Sequence, residues 1–316
     1  MGWENYRREI DFMALKDKLA SVVGAQNVLE NELMSAHTTF RVGGPADLFV
    51  MPSSADEVKA VLEACDAAGE KAYVIGRGSN LLVADAGLRG VVVQLAGNFA
   101  SVEVREDSTV IASAGISNAK VAAQALKAGL SGFEFAAGIP GTIGGAAIMN
   151  AGAYNGEFKQ VATEVLCLDS NCEFMRVTAE QAQWGYRHSM MMDAGMTVLE
   201  VTFKLAEGDP DAIRARMEDL AHRRSDKQPL ELPSAGSTFK RPAGHYAGKL
   251  IQDAGLMGYT VGGAQVSKKH AGFVVNFDNA TAADVAQVIY DVRERVLAEF
   301  GVELEPEVRM WGFDPS

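Results

Sequence analysis

Residues 73–82 read YVIGRGSNLL, and the reading of this decapeptide decides the fold. A β-branched run entering Gly76-x-Gly78 is how a dinucleotide-binding fingerprint begins, but the third glycine is missing because Leu81 stands in its place. Neither a helix-forming run nor a ribose-binding acid follows at the expected distance, so a Rossmann unit is disfavoured. What remains is a tight loop after a strand. It is either a simple turn or a concavity of backbone N–H groups that receives an anion, with Ser79 and Asn80 adding side-chain donors.

Working outward, residues 46–80 read strand, helix, strand, with Ser54 and Glu57 as a capping box and Gly69 ending the helix, which predicts a βαβ unit. From Gly90 to Ile116 the runs VVVQLA, SVEVRE and TVIASAGI predict mainly antiparallel strands. One helix, NAKVAAQALKAGLSG, follows and stops at a glycine. Residues 161–178 read as a hairpin and 196–208 as a strong strand, after which Asp209 and Pro210 open a new helix. GGAQVS and AGFVVNF are further strands. A helix from about Thr281 is expected to bury Val285, Val288, Ile289, Val292, Val296, Leu297 and Phe300 on one face before Gly301 ends it, and VELEPEVRMWG reads as a last strand. The pattern is that of an α+β protein without repeats. The dozen residues before Met13 carry little periodicity and are expected to form a loose arm or an upstream extension.

With 316 residues the chain can bury a substantial core, and its formal charge of −12, with no long basic run, argues against nucleic acid as a partner. The N-terminus lacks the apolar core of a signal peptide and no later segment could cross a bilayer, so a cytoplasmic protein is expected. Cys65, Cys167 and Cys172 fit neither redox nor zinc spacing and read as reduced and structural. The histidines show no metal-ligand spacing, so no metal is predicted.

Residues 135–156, FAAGIPGTIGGAAIMNAGAYNG, are rich in Gly but also in Ala and Ile, with a proline inside. That composition suits a rigid, buried loop better than a linker. Bare backbone there lets a flat or anionic ligand approach closely and be held by N–H groups, although glycine clusters also serve close packing.

Seven segments carry a more specific signal: TTFRVGGPAD, GRGSNLLV, AGIPGTIGGAAIMNAGAY, YRHS, GSTFKRP, AGKLIQDAGL and EPEVRMWG. In this order, over nearly the whole chain, they resemble the UDP-N-acetylenolpyruvoylglucosamine reductase family. The resemblance implies a two-part FAD-binding domain of the p-cresol methylhydroxylase/vanillyl-alcohol oxidase type, followed by a C-terminal α+β substrate-binding domain. The segments expected on this basis are 1–89 with the N-terminal arm, 90–208 as the second FAD-binding subdomain, and 209–316 for the substrate, with the last strand returning to the active site. It implies non-covalent FAD, NADPH as reductant, and UDP-N-acetylglucosamine enolpyruvate as substrate on the way to peptidoglycan, with no obligate protein partner. Some relatives in the wider superfamily attach flavin through a histidine in the first loop; here that neighbourhood offers Ser79 and no histidine. Between YRHS and the strand from Met196 stands only MMMDAG, which resembles the shorter branch of the family, lacking a tyrosine-bearing loop.

By the same resemblance, Arg41, Gly76, Arg77, Gly78, Ser79, Asn80, Leu81, Ala114, Gly115, Gly138, Ile139, Pro140, Gly141, Thr142, Gly144 and Gly145 hold the cofactor, and Asn150, Ala151 and Gly152 lie near the flavin. Arg187 engages the substrate carboxylate, Glu307 helps it accept charge, and Ser237 donates a proton. Arg224, Lys227 and Lys240 are expected at the UDP diphosphate, with Tyr186, Tyr246, His270 and Arg309 as further substrate contacts. Two competing readings are an oxidase or dehydrogenase of a sugar or hydroxy acid on the same fold, and a nucleotide-sugar binder without activity. The Arg187, Ser237 and Glu307 set argues against both.

Overall fold

The computed structural model describes the backbone of residues 2–313 and the side chains of residues 12–313. In chain order it contains α1 (Gly2–Val23), β1 (Val28–Leu33), β2 (Pro45–Val50), α2 (Ala55–Ala67), β3 (Ala72–Ile75), β4 (Leu81–Val83), β5 (Leu88–Gln94), β6 (Val102–Val104) and β7 (Thr109–Ser113). There follow α3 (Asn118–Lys127), α4 (Ile143–Ile148), β8 (Ala162–Leu168), β9 (Phe174–Thr178), α5 (Met190–Asp193), β10 (Thr197–Lys204) and α6 (Pro210–Lys227). The last elements are α7 (Ala247–Asp253), β11 (Thr260–Val261), β12 (Ala264–Val266), β13 (Val274–Asn276), α8 (Ala282–Phe300) and β14 (Arg309–Trp311).

Two compact units share these elements. The first comprises residues up to 32, 46–76 and 89–221; the second comprises 33–45, 77–88 and 222 onward. These units differ from the expected segments 1–89, 90–208 and 209–316, because 33–45 and 77–88 join the C-terminal part and the last cut falls inside α6. Composition shifts mark where the chain changes element type, not which excursions pack together in space.

In the first unit, β1, β2, β5 and β3 form one sheet in that order. The VVVQLA run, expected among antiparallel strands, is β5; it lies between the two strands of the βαβ unit and runs parallel to β3, with Tyr73 opposite Val92. Val91, Val92 and Val93 are all fully buried, as a parallel central strand requires. Ser54 Oγ accepts from the Glu57 N–H at 3.2 Å, but the Glu57 carboxylate turns to the N–H and hydroxyl of Ser53, so the return half of the expected capping box is made one residue earlier. Gly69, at φ +66°, ends α2, and Glu70 N–H donates to Cys65 O at 2.9 Å.

A second sheet, in the order β9, β8, β10, β7, β6, is antiparallel throughout, as the hairpin and strand readings predict. Its core includes Phe133, Phe158 and Phe203, whose rings meet edge to face at 5.0–5.7 Å. Each such contact adds about 0.5–1.5 kcal/mol to the burial itself. In place of a loose arm before Met13, the backbone is helical from Gly2; Leu15, Leu19 and Val23, one turn apart, are buried.

The second unit is built on α8. Val285, Val288, Ile289, Val292 and Val296 are fully buried with Leu82, Phe239, Leu250, Ile251 and Val266. Leu297 and Phe300, expected on the same face, are exposed, because residues 297–300 form a last turn open to solvent on all sides. Thr281 and Asp284 make a full capping box, and the Asp85 carboxylate accepts from the N–H groups of Ala282 at 2.8 Å and Ala283 at 2.9 Å. Asp85 lies just past β4, which pairs in parallel with β14 so that Arg309 faces Leu81. Among the described residues no helix is long and apolar enough to cross a membrane.

Candidate active site

Glycines in the first unit bring loops to backbone contact. A Cβ on Gly76 would lie 2.3 Å from Thr142 Oγ1, one on Gly144 2.7 Å from Ala114 Cβ, and one on Gly115 2.0 Å from Phe99 O. The loop after β3, the end of β7 and the start of α4 therefore interlock, with Ile143 N–H donating to Ile116 O and Gly144 N–H to Ala114 O, both at 2.9 Å. At these positions glycine serves protein packing. Gly145 differs: it is exposed, and its nearest neighbour would be Thr142 Oγ1 at 4.0 Å. With the two preceding N–H groups spent inside the fold, the bare backbone at Gly145 is the part left facing outward, a surface that fits an anionic, flat-sided cofactor such as FAD. Gly138 and Pro140 are also exposed.

The turn carrying Arg187 is fastened to the end of this segment. Trp184 Nε1–H donates to Ala147 O at 2.9 Å, Ser189 Oγ–H to Ile148 O at 2.8 Å, and Asn150 Nδ2–H to Gly185 O at 2.9 Å. Asn150 also donates to Glu157 Oε2 at 2.8 Å and accepts from Lys159 N–H at 3.0 Å, so both its amide protons are taken by protein. Asn150 and Arg187 both have positive φ, +42° and +54°, a conformation that non-glycine residues hold only when their surroundings enforce it. The Arg187 guanidinium lies 5.1 Å from the ring centre of Tyr186, which is 56% exposed.

In the second unit, Ser237 and Glu307 come together on paired segments. Phe239 bridges Pro306, Glu307 N–H donates to Thr238 O at 2.8 Å, and Lys240 N–H donates to Glu305 O at 2.8 Å. Thr238 is fully buried, its N–H donating to Gly272 O and its Oγ1 accepting from Val274 N–H, while Ser237 beside it is exposed. Asn80 holds the 307–309 segment: its Nδ2–H donates to Glu307 O at 3.0 Å and its main-chain carbonyl accepts from Arg309 N–H at 3.0 Å. Gly78, at φ +60°, leaves no room for a Cβ, which would sit 2.2 Å from His37 O. Arg41, also at positive φ, follows Thr39, whose N–H donates to Gly78 O at 3.2 Å.

The cationic candidates divide. Lys269 Nζ–H donates to Ser225 O at 2.7 Å, which ties the end of α6, bearing Arg224 and Lys227, to the turn bearing His270. Burial, and more weakly Lys227, hold His270 below the ordinary histidine range; Gly272 N–H donates to its Nδ1 at 3.1 Å, so the neutral ring carries its proton on Nε2. Lys240 is paired with the exposed Glu305, Tyr246 is stacked under Arg241 at 4.0 Å, and Arg309 is exposed. Trp184, Ser189, Thr238 and His37 also hold these segments, with no role among the sequence-based expectations. A serine directly before MMMD was a helix-cap signal for Ser189, whereas His37 meets Gly78 only through tertiary folding. Among the described residues no group of three acidic, histidine or cysteine side chains could hold a metal.

Comparison with known proteins gives consistent matches. Residues 46–178 match the family model of an FAD binding domain, and residues 228–311 that of the C-terminal domain of UDP-N-acetylenolpyruvoylglucosamine reductase. The chain is 50% identical over 281 residues, 89% of its length and 92% of the relative's, to the UDP-N-acetylenolpyruvoylglucosamine reductase of Clostridium beijerinckii. The crystal structure of the Thermus caldophilus UDP-N-acetylenolpyruvylglucosamine reductase superposes with a TM-score of 0.77 at 35% identity, covering 89% of this chain and 98% of that one. In fold alone, a 4-ethylphenol oxidase from Gulosibacter chungangensis is similar, with a TM-score of 0.50 at 13% identity over 94% of this chain and 65% of its own.

Proposed function

We propose that this chain, which belongs to the UDP-N-acetylenolpyruvoylglucosamine reductase family, reduces UDP-N-acetylglucosamine enolpyruvate to UDP-N-acetylmuramate with NADPH as reductant. At the coarser level it is an FAD oxidoreductase of peptidoglycan precursor synthesis. Bound FAD supplies the hydride transfer, from NADPH to the methylene carbon of the enolpyruvyl group. Gly145 and its interlocked neighbours, with Arg41 and the 77–81 loop, would hold it without covalent attachment.

The chain's own side chains supply charge stabilisation and the proton. Hydride addition leaves negative charge on the adjacent carbon, delocalised into the carboxylate as an enolate. Arg187, held in its positive-φ turn, presents a fixed guanidinium to that oxyanion. Glu307, if kept protonated or tightly hydrogen-bonded, would let the carboxylate take up charge without like-charge repulsion. Ser237 transfers its hydroxyl proton to the carbon; being exposed, it regains one from solvent. Arg224 and Lys227 at the end of α6 meet the diphosphate, with Lys240 kept beside Glu305.

The observation that carries this reading is the Glu307 N–H to Thr238 O hydrogen bond, which puts two residues 70 positions apart in sequence, Ser237 and Glu307, on one pair of segments. The test is spectroscopic. NADPH should bleach the flavin anaerobically, and the enolpyruvyl nucleotide should restore it. In Ser237→Ala, bleaching should proceed within about twofold of the parent rate while restoration slows by about 100-fold or more, the usual worth of a positioned proton donor. Equal loss in both halves would assign Ser237 to flavin binding or structure, and a flavin-loaded parent enzyme that the nucleotide cannot reoxidise would overturn the activity.

A further inference from the structure

We infer that Asn80 and Asn150, each in a glycine segment expected to hold FAD, are positioning residues that tie those segments to Glu307 and Arg187 rather than side-chain ligands of the cofactor. The inference rests on the roles proposed above for Glu307 and Arg187. In the second unit, the Asn80 side-chain amide donates to Glu307 O at 3.0 Å, next to the main-chain bond from Arg309 N–H to the Asn80 carbonyl at 3.0 Å, so Asn80→Ala removes the first and keeps the second. Residues 307 and 309 are thereby fixed on either side of Val308, which is buried. In the first unit, Asn150 is 1% exposed, and its amide bridges Gly185 O and Glu157 Oε2. Gly185 lies two residues before Arg187 and opens the bridge to His188 that makes the turn. The two asparagines thus perform the same operation in separate units. A short, stiff amide donates to the main chain of a reacting turn, and the loop that carries the amide is the one expected to meet the cofactor. Loading of FAD against either loop then fixes a reaction residue as well as the flavin, and a misplacement of either residue costs the chemical step while leaving the cofactor bound.

The test uses the full chain as Asn80→Ala and as Asn150→Gly, the latter keeping the positive φ that alanine would strain. Three quantities are measured apart: FAD affinity, from flavin fluorescence on titration with apoprotein; flavin reduction by NADPH; and flavin reoxidation by the enolpyruvyl nucleotide. FAD affinity and reduction should stay within about twofold of the parent while reoxidation slows by about tenfold or more. In double-mutant cycles, Asn150→Gly should add little once Arg187→Ala is present, and Asn80→Ala little once Glu307→Gln is present. Loss of FAD affinity together with equal loss in both half-reactions would make the asparagines cofactor ligands, and fully additive cycles would make them general structural supports; either overturns the inference. Should Asn150→Gly not fold, Ser189→Ala loosens the same turn from Ile148 and is held to the same outcomes. Reoxidation unmoved by Arg187→Ala and Glu307→Gln would overturn the functional reading itself, a result recognisably different from additive cycles.

Discussion

Gly144 and Gly145 are adjacent in sequence and should respond oppositely to alanine. At Gly144 the new Cβ would stand 2.7 Å from Ala114 Cβ and 3.3 Å from Ala114 O, and the Gly144 N–H to Ala114 O hydrogen bond prevents the two segments from parting without loss. Overpacking of this kind costs about 1–3 kcal/mol, against a helix-propensity gain of about 1 kcal/mol for replacing glycine, so the apoprotein should lose up to about 2 kcal/mol. At Gly145 the Cβ would meet Thr142 Oγ1 only at 4.0 Å, and the apoprotein should gain up to about 1 kcal/mol. The methyl group does stand on the open side, where FAD is expected, and should weaken FAD binding by about tenfold, or about 1.4 kcal/mol. Urea unfolding of both apoproteins gives the first pair of numbers and flavin fluorescence titration the second. A Gly145→Ala protein that binds FAD as the parent does would refute the placement of the cofactor against this backbone, and one destabilised like Gly144→Ala would refute the packing argument.

Asp85→Ala removes both carboxylate hydrogen bonds from the first turn of α8 and should cost about 1–2 kcal/mol, read as faster amide exchange at Ala282 and Ala283. Because burial lowers the His270 pKa in the folded state, the unfolded chain takes up that proton first as pH falls. Stability contributed by the neutral ring is therefore full above about pH 6.5, falls as pH drops from there through the folded value, and should fall less steeply in His270→Gln, as urea midpoints at pH 7.5 and 5.0 would show. Burial pushes the Cys65 and Cys167 thiols up to about 12, so alkylation of the native protein at pH 8 should leave both unlabelled until denaturant is added; rapid native labelling of either would contradict their burial.

Much of the local structure was legible. Ser54 before a helix-period run, Gly69 after it, and Thr281 and Gly301 around α8 mark ends whose hydrogen bonds are made within a few residues, so sequence alone specifies them. The missing third glycine at Leu81 likewise disfavoured a nucleotide-binding helix after β3, and β4 follows there instead. Leu15, Leu19 and Val23 carried a one-turn spacing that would have revealed α1. By contrast, the place of β5 between β2 and β3 was not legible, since strand order depends on which edge remains open when the chain returns. The exposure of Leu297 and Phe300 was hidden for a related reason: periodicity tells which face is apolar, not how far the neighbour covering it extends.

For the site, the sequence by itself determined the chemistry on offer: a guanidinium at 187, a hydroxyl at 237, a carboxylate at 307 and bare backbone at 141–145. Only the tertiary structure decided how these groups are held. It paired 237–240 with 305–307, put Asn80 against 307 and 309, fastened the Arg187 turn to residues 147–150, and set Lys240 beside Glu305. It also separated glycines by task, with Gly76, Gly115 and Gly144 filled by neighbouring protein and Gly145 left open. The physical reason is one of range. Caps and turns are fixed by contacts within a few residues, whereas the space beside a Cα or the partner of an amide is set by segments tens to hundreds of residues away, whose approach no local pattern records.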